Sequence, residues 1–169
     1  AGTFNQDIIT AMATVNERPV IIALSNPTSH TECTAEEAYR WSNGRAIFAS
    51  GSPFEPVTYA GKLLKPGQGN NAYIFPGVGL GVTISKARLV TEPMFLAAAH
   101  ALSAQILPEE IAAGSIYPSI NRVRPVSLAI AVAVCQVAKQ AGLTEETLPE
   151  TDLASYIAAK MYDPRYKVG

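Results

Sequence analysis

Three asparagine side chains occupy positions where a small ligand could be bound. Asn26 follows the apolar run Val20–Leu24 and precedes a proline, which favours an extended backbone at Asn26. Its amide offers two hydrogen-bond donors and an acceptor. Asn70 and Asn71 are adjacent in a long segment, residues 51–71, that is rich in Gly, Pro, Ser and Asn. Loops of this length inside compact domains are usually functional, so these amides are the first candidates for ligand contacts.

Each candidate also has a purely structural interpretation. Asn26 suits an Asx turn, in which the side-chain oxygen bonds to the local backbone. Asn70 and Asn71 suit loop packing through side-chain bonds to nearby backbone. Two amides buried beside Tyr73 and Phe75 without partners would be costly, however. Local sequence leaves both interpretations open at all three positions.

The ionisable residues form no catalytic constellation. The two histidines, His30 and His100, are far apart in the chain and neither has a partner at metal-ligand spacing. The acidic pairs at 36–37 and 109–110 begin predicted helices, where carboxylates interact favourably with the helix dipole. Aspartate occurs only at positions 7, 152 and 163, so an all-carboxylate metal site lacks its usual ligands. The sequence therefore assigns neither a catalytic residue nor a metal ligand to this chain.

A glycine cluster, Gly77, Gly79 and Gly81, invites comparison with a dinucleotide-binding turn. The G-x-G-x-x-G register fails from either of the first two glycines, and no acidic residue follows at about 20 positions. A proline also interrupts the approach to the cluster. We expect these glycines to allow close helix packing.

The candidate amides need a scaffold, and hydrophobic patterning predicts an α/β one. An apolar face at helical spacing predicts a helix over 4–15, and the continuous apolar runs at 20–24 and 46–49 are typical of strands buried on both faces of a parallel sheet. Thr34 and Glu37 have capping-box spacing at the start of a helix that continues to residue 41. A small hairpin is expected around 59–62. Helices are then expected at about 77–87, 93–106, 108–113, 125–141 and 152–160.

Composition excludes several functional classes. The chain has 169 residues with 13 Lys and Arg against 14 Asp and Glu, and its pI near 6.2 offers no basic surface for nucleic acid. The longest apolar run, Val126–Ala138, is shorter than the ~20 residues that span a bilayer. Cys33 and Cys135 have no partner at metal spacing and are expected to be reduced and structural. We expect a soluble intracellular chain that contacts neither membrane nor nucleic acid.

At these same segments the sequence resembles malic enzyme, the NAD- or NADP-dependent oxidoreductase that decarboxylates malate to pyruvate. The resemblance covers essentially the whole chain and is looser at 115–124, and His30 stands where many relatives carry lysine. The segments that carry it are NERP (16–19), LSNPTS (24–29), ECTAE (32–36), GRAIFASGSPF (44–54), PGQGNNAYIFPG (66–77), GSIYP (114–118), VSLAI (126–130) and MY (161–162).

The resemblance implies specific roles at the candidate positions. Asn26, Asn70 and Asn71 would bind malate, and Ser25, Asn26 and Asn70 would contact NAD or NADP at its nicotinamide end. Neutral amides suit this task because they bind carboxylate, hydroxyl or carboxamide groups without adding charge near the transferred hydride. The Mn²⁺ or Mg²⁺ of the family would have its ligands outside this chain.

The resemblance further implies that residues 1–169 form a single region, the C-terminal part of a malic enzyme NAD(P)-binding domain. The expected fold is the C-terminal portion of a Rossmann-like, doubly wound parallel sheet with additional C-terminal helices. The family's catalytic lysine, tyrosine and arginine, its acidic metal ligands and its glycine fingerprint match nothing here. We therefore expect a fragment that is inactive alone, binds the remainder of the enzyme chain, and has an exposed strand edge that favours homo-oligomers.

Two other functions remain as alternatives. The chain could be a noncatalytic α/β module for assembly or interaction, in which the asparagine-rich loop only packs. It could also bind a phosphate or nucleotide through the segment Gly77–Gly81.

Overall fold

The computed structural model describes residues 1–163, which form two compact units. Unit 1 comprises residues 1–71 and 105–119, and unit 2 comprises residues 72–104 together with the described residues from 120 onward. Unit 1 contains the sheet and all four candidate ligand-binding residues. Unit 2 is helical.

Unit 1 is built on a three-stranded parallel sheet. The chain runs through α1 (Gln6–Val15), β1 (Val20–Ala23), α2 (Ala35–Trp41), β2 (Ile47–Ser50), β3 (Val57–Tyr59), β4 (Lys62–Leu64) and β5 (Gly67–Gln68), and later adds α5 (Pro108–Ala112). The strand order is β1-β2-β5, and both pairings are parallel. β3 and β4 form the predicted antiparallel hairpin, turning at Ala60 and Gly61 with positive φ. The α/β prediction is confirmed, whereas β5 was not foreseen.

The two predicted strands are present, but β1 is buried on one face only. Ile21 and Ala23 are fully buried, while the alternate residues Val20 and Ile22 are 47% and 41% exposed. The prediction of burial on both faces was therefore wrong for β1. Side chains alternate across a strand, and β1 is the outer strand of the sheet in the described part of the chain.

The core of unit 1 lies under the buried face of the sheet. Tyr39 of α2 packs edge-on against Phe48 of β2, with ring centroids 6.2 Å apart, and Phe54 packs edge-on against Phe48 at 5.9 Å. Aromatic pairs prefer this geometry. The buried cluster is completed by aliphatic and small residues, namely Ile9, Ile21, Ala23, Cys33, Ala35, Ala38, Ala46 and Leu64.

Local hydrogen bonds fix the helices of unit 1. The predicted capping box is present, since Thr34 Oγ accepts from the Glu37 N–H at 3.2 Å and the Glu37 carboxylate accepts from the Thr34 N–H at 2.8 Å. At the other helix, Arg45 donates to the Ala13 carbonyl at 2.7 Å and to two further carbonyls that follow α1. A guanidinium at a helix C-terminus satisfies carbonyls that have no intrahelical partner.

Unit 2 packs three helices around a long central one. These helices are α3 (Phe75–Ser85), α4 (Glu92–Ser103), α6 (Val123–Gln140) and α7 (Leu153–Ala158), with α6 contacting the other three. The glycine cluster lies in α3. A Cβ at Gly77 would lie 2.6 Å from Ile130 Cβ, and one at Gly81 would lie 2.8 Å from Val134 Cβ. The prediction that glycines permit close helix packing is confirmed.

α6 is longer than its apolar run suggested. Residues 120–140 form one helix that is long and apolar enough to cross a membrane by length and composition, with a mean hydropathy of 1.3. The 13-residue apolar run counted in the sequence is therefore only the central part of this helix. Val126, Ile130, Val134 and Ala138 are nonetheless fully buried inside unit 2. Packing of a core helix accounts for these apolar positions.

Both cysteines are buried and free. Cys33 is in the core of unit 1, and Cys135 lies on α6, where its thiol contacts the Gly81 carbonyl. Burial raises the pKa of the Cys33 thiol to about 12 and that of Cys135 to about 11. Thiols that stay protonated are poor nucleophiles, which agrees with a structural role.

Candidate functional site

The carboxyl ends of the three parallel strands meet at one edge of the sheet in unit 1. The register aligns Ala23 of β1 with Ser50 of β2, and Ser50 with Gln68 of β5. The segments that follow these residues, 24–26, 51–52 and 69–71, therefore leave the sheet side by side. We call these three segments the carboxyl edge, which is where open α/β sheets bind their ligands.

Two backbone hydrogen bonds tie the carboxyl edge together beyond the last strand residues. The Gly51 N–H donates to the Ala23 carbonyl at 3.0 Å, and the Gly69 N–H donates to the Ser50 carbonyl at 2.8 Å. The Gln68 side chain adds a longer contact of 3.4 Å to the Gly51 carbonyl. The three loops thus leave the sheet with fixed main-chain spacing.

Asn26 is exposed, and both ends of its amide are engaged. Its Oδ1 accepts from Ser52 Oγ at 2.7 Å, and its Nδ2 donates to the Leu24 carbonyl at 3.3 Å. The peptide bond between Asn26 and Pro27 is cis. The amide oxygen is therefore held by the neighbouring loop, which is not the Asx turn considered from the sequence.

Gly51 provides the space that this arrangement needs. A Cβ at this position would lie 2.7 Å from Asn26 Nδ2 and would overlap the Leu24 carbonyl oxygen. Real Cβ atoms do not approach other atoms so closely, so a side chain here would displace the amide. Glycine at this position is required by the close approach of two loops.

Ser25 is held by Glu32. Ser25 Oγ donates to one carboxylate oxygen at 2.7 Å, and the Ser25 N–H donates to the other at 3.2 Å. The hydrogen bond from the hydroxyl is the main cause that lowers the pKa of Glu32. Because the hydroxyl hydrogen of Ser25 is committed to Glu32, its oxygen can serve a ligand as an acceptor.

Asn70 and Asn71 are exposed at the end of the third loop. The preceding residue, Gly69, packs so tightly that a Cβ would lie 2.9 Å from a methyl carbon of Leu24. Asn71 begins a short 3-10 turn that ends at Tyr73. Both side chains are thus at the surface beside the end of β5.

Sequence patterning did not single out Ser52, Gly51 or Glu32. The sequence offered only general signals: residues 51–52 directly follow a predicted strand, and all three residues lie in segments that carry the family resemblance. Their contacts to Asn26 and Ser25 join residues that are far apart in the chain, and single-residue patterns carry no such pairing. The tertiary structure alone assigns them to the carboxyl edge.

Two carboxylates of the predicted helix starts have structural partners. Glu36 forms an exposed ion pair with Arg40 at 2.6 Å, and Glu110 accepts from the Leu107 N–H at 2.8 Å at the start of α5. Across residues 1–163, no three His, Cys, Asp or Glu side chains lie close enough together to hold a metal ion. The described residues therefore do not fit a divalent metal.

Comparison with known proteins places this geometry in a family. The family model described as "Malic enzyme, NAD binding domain" matches residues 1–139. The chain belongs to this family. NADP-dependent malic enzymes of rice and common bean are 54% and 53% identical to it, and each match covers 98% of this chain. The matched segment is only 26% and 28% of those two relatives, so the chain spans about a quarter of their length.

Solved structures confirm the Rossmann-like α/β fold of this malic enzyme domain. A malic enzyme from Pyrococcus horikoshii superposes with a TM-score of 0.71 at 25% identity, covering 94% of this chain and 32% of the solved one. A malic enzyme from Entamoeba histolytica gives a TM-score of 0.73 at 23% identity, with 94% and 29% covered, and supports the fold alone.

Proposed function

We propose that this chain is the C-terminal part of the NAD(P)-binding domain of a malic enzyme. The complete enzyme would convert malate to pyruvate and carbon dioxide with reduction of NAD(P). The observation that carries the proposal is the meeting of Ser25, Asn26, Asn70 and Asn71 at the carboxyl edge of a chain that belongs to this family. Relatives named as NADP-dependent malic enzymes support this activity.

The residues of the carboxyl edge suit a ligand that carries oxygen acceptors. Asn26 keeps one N–H and one oxygen lone pair after its two observed hydrogen bonds, and both remain at an exposed side chain. Asn70 and Asn71 add amides on the third loop. We assign Asn26, Asn70 and Asn71 to malate, and Ser25, Asn26 and Asn70 to the nicotinamide end of the cofactor. When bound, NAD(P) supplies the hydride acceptor.

Neutral amides fit this reaction electrostatically. They orient a carboxylate, hydroxyl or carboxamide group by hydrogen bonds and leave the charge at the hydride donor unchanged. The Mn²⁺ or Mg²⁺ of the family would be held by residues outside 1–163. This chain therefore contributes binding and orientation, while acid–base and metal chemistry belong to the rest of the enzyme.

The exposed face of β1 supports the assignment to part of a larger domain. Strands of parallel sheets are normally covered on both faces, yet Val20 and Ile22 of β1 are more than one third exposed. We propose that the remainder of the enzyme chain covers this face and extends the sheet, and that the assembled enzyme is a soluble intracellular homo-oligomer. The rice relative is named as a chloroplastic enzyme.

Substitution of the amides tests the binding role. In the full-length enzyme, Asn26→Ala or Asn71→Ala should lower kcat/KM for malate by about 10- to 100-fold, since each removes a hydrogen bond to a polar or charged ligand. Asn121→Ala is the matched control, because Asn121 is an exposed amide outside the carboxyl edge. Unchanged kinetics in both Asn26 and Asn71 variants would refute the binding role.

A second assay tests the fragment assignment. The purified 169-residue chain, given malate, NADP and Mn²⁺, should show no malate-dependent reduction of the cofactor. Measurable turnover would contradict the assignment of the catalytic groups to the remainder of the enzyme.

One observation favours the noncatalytic assembly module as a second candidate. The outer edge of β1 has no pairing strand in the described chain and is free to pair with another protein. Self-association of the chain, together with kinetics that are insensitive to Asn26 and Asn71, would favour that function. The nucleotide-binding alternative at Gly77–Gly81 loses its support, because side chains of α6 occupy the space beside two of its glycines.

A further inference from the structure

Ser52 contacts the amide of Asn26 from a neighbouring strand end. Its hydroxyl lies 2.7 Å from Asn26 Oδ1, although the two residues are distant in the chain. Ser52 is itself anchored, because Ser50 Oγ donates to the Ser52 carbonyl at 2.7 Å and Ser50 is only 1% exposed. The hydroxyl that reaches Asn26 therefore extends from a main chain with a fixed position.

The Leu24 carbonyl decides which way the Asn26 amide faces. Nδ2 lies 3.3 Å from this carbonyl oxygen and donates to it. A flipped amide would place Oδ1 there, and two carbonyl oxygens would face each other without a hydrogen. A serine hydroxyl can donate or accept by rotation, so Ser52 accommodates the orientation that Leu24 selects. With Oδ1 towards Ser52, the hydroxyl must donate.

Together these bonds determine what Asn26 presents to a ligand. Of its two N–H donors one is used by Leu24, and of its two oxygen lone pairs one is used by Ser52. One donor and one acceptor remain, in a fixed orientation. Without Ser52, the amide would be restrained on its nitrogen side only and would rotate more freely.

The geometry points to Ser52 as a positioning residue for Asn26. Ser52 holds the amide so that its free N–H meets an oxygen acceptor of the substrate or of the nicotinamide carboxamide. This inference rests on the proposed function, since it assumes that Asn26 contacts those groups. The alternative is that the hydroxyl only joins two loops and stabilises the fold.

A double-mutant cycle in the full-length enzyme separates the two roles. Ser52→Ala should lower kcat/KM for malate by about five- to tenfold, the size expected for one neutral hydrogen bond. In an Asn26→Ala background the same change should have no further effect, because the group it positions is gone. Ser52→Thr retains the hydroxyl and should restore most of the activity.

Two readouts separate positioning from a structural role. Affinity for ADP-ribose, which lacks the nicotinamide ring, should be unchanged in Ser52→Ala. Ser103→Ala is the matched control, since Ser103 Oγ also makes one exposed hydrogen bond, to the His100 carbonyl at 3.0 Å in unit 2. This variant should leave kcat/KM unchanged. In the 169-residue chain, the NMR signals of the Asn26 side-chain amide should shift in Ser52→Ala and stay in place in Ser103→Ala.

Each contrary outcome has a distinct meaning. If Asn26→Ala leaves the kinetics unchanged, the role of Ser52 is overturned, and the proposed function fails as well if Asn71→Ala is equally without effect. If Asn26→Ala lowers kcat/KM but Ser52→Ala does not, only the inference about Ser52 is overturned. Additive effects in the cycle, a loss of ADP-ribose affinity or unmoved Asn26 amide signals would also overturn it.

Discussion

Glycine allows close approach in two regions of this molecule, with opposite chemical results. At the carboxyl edge, the space beside Gly51 is filled by the Leu24 carbonyl and the Asn26 amide. In unit 2, the spaces beside Gly77 and Gly81 are filled by aliphatic side chains of α6. The first region is polar and exposed, whereas the second is apolar and buried. The role of each glycine therefore depends on which atoms lie in the space that a side chain would occupy.

The same contrast extends to the interactions that stabilise each unit internally. Unit 1 relies on directed polar contacts at its loops and helix ends, including the pairs formed by Glu32 and by Thr34. In unit 2, α3 and α4 have no side-chain hydrogen bond at their N-caps, and packing on α6 holds them. This difference predicts that small changes in volume harm unit 2, while changes in hydrogen bonding harm unit 1.

The largest effect is expected from Gly77→Ala. The new methyl group would meet Ile130 Cβ at 2.6 Å and the Ser127 carbonyl oxygen at 2.9 Å. Overpacking of this kind should lower the free energy of unfolding of unit 2 by about 2 to 3 kcal/mol. Urea denaturation followed by far-UV circular dichroism measures it.

Gly79→Ala is the matched control on the same helix. Gly79 is exposed and a Cβ there would have no neighbour within 4 Å. Alanine favours a helix over glycine, so this variant should be more stable by about 0.5 to 1 kcal/mol. Equal effects at Gly77 and Gly79 would contradict the claim that close packing against α6 requires glycine at position 77.

Gly51→Ala should have the next largest effect. It should lower the free energy of unfolding of unit 1 by about 2 kcal/mol, because the methyl group forces the Leu24 carbonyl and the Asn26 amide apart. The single tryptophan, Trp41, lies in unit 1, so its fluorescence during urea denaturation reports the loss. In the full-length enzyme, kcat/KM should fall as well. Destabilisation with unchanged kinetics would show that the carboxyl edge is polar for structural reasons only.

Thr34→Ala tests the polar cap of α2. It removes a side-chain acceptor that the Glu37 N–H uses, so the free energy of unfolding should fall by about 1 kcal/mol. Trp41 fluorescence during urea denaturation measures this change. Thr91→Ala, at the N-cap of α4 where no side-chain cap bond is present, should cost only a few tenths of a kcal/mol. A larger loss of stability in Thr91→Ala than in Thr34→Ala would contradict the claim that α2 depends on its cap and α4 on packing.

The smallest effect concerns the pH dependence of the Glu32 contact. The pKa of Glu32 is lowered in the folded chain from its ordinary value of 4.5, chiefly by the hydrogen bond from Ser25. The contribution to stability is therefore present above pH 4.5 and is lost as the pH falls through the lower folded pKa. The urea midpoint of unfolding, followed by Trp41 fluorescence, should therefore fall as the pH is lowered below 4.5. In Glu32→Gln this fall should be smaller.

Glu55→Gln is the control for this measurement, because Glu55 is an exposed carboxylate outside the carboxyl edge. It should leave the acid-side slope unchanged. A slope that Glu32→Gln does not alter would show that the Ser25 contact adds nothing to the stability of the loop.

Much of the fold followed from local patterns because those patterns are set by neighbouring residues. The capping box of α2, the hairpin at 59–62 and the glycine-rich helix were all predicted and are confirmed. β5 was missed because two residues, Gly67 and Gln68, are too few to show an alternating pattern. Its existence depends on β2, to which it pairs.

The candidate site divides in the same way. Asn26 was noticeable because it follows a predicted strand, and Asn70 and Asn71 because they are adjacent amides in a long loop. The network around them was not, since Ser52, Gly51 and Glu32 contribute through contacts between separate segments. The half-exposed face of β1 was also unforeseen, because an apolar run shows its preference for burial and not whether a second layer is present.

The sequence by itself determined most of the segments that become helices and strands, which family the chain resembles, and which side chains could bind a ligand. Local propensity, capping and periodicity act over a few residues, so they can be read directly. The tertiary structure alone decided that three strand ends share one edge, that Ser52 and the Leu24 carbonyl orient the Asn26 amide, and which residues of α6 fill the space beside Gly77 and Gly81. Those results depend on distances between residues that are remote in the chain, which folding alone brings together.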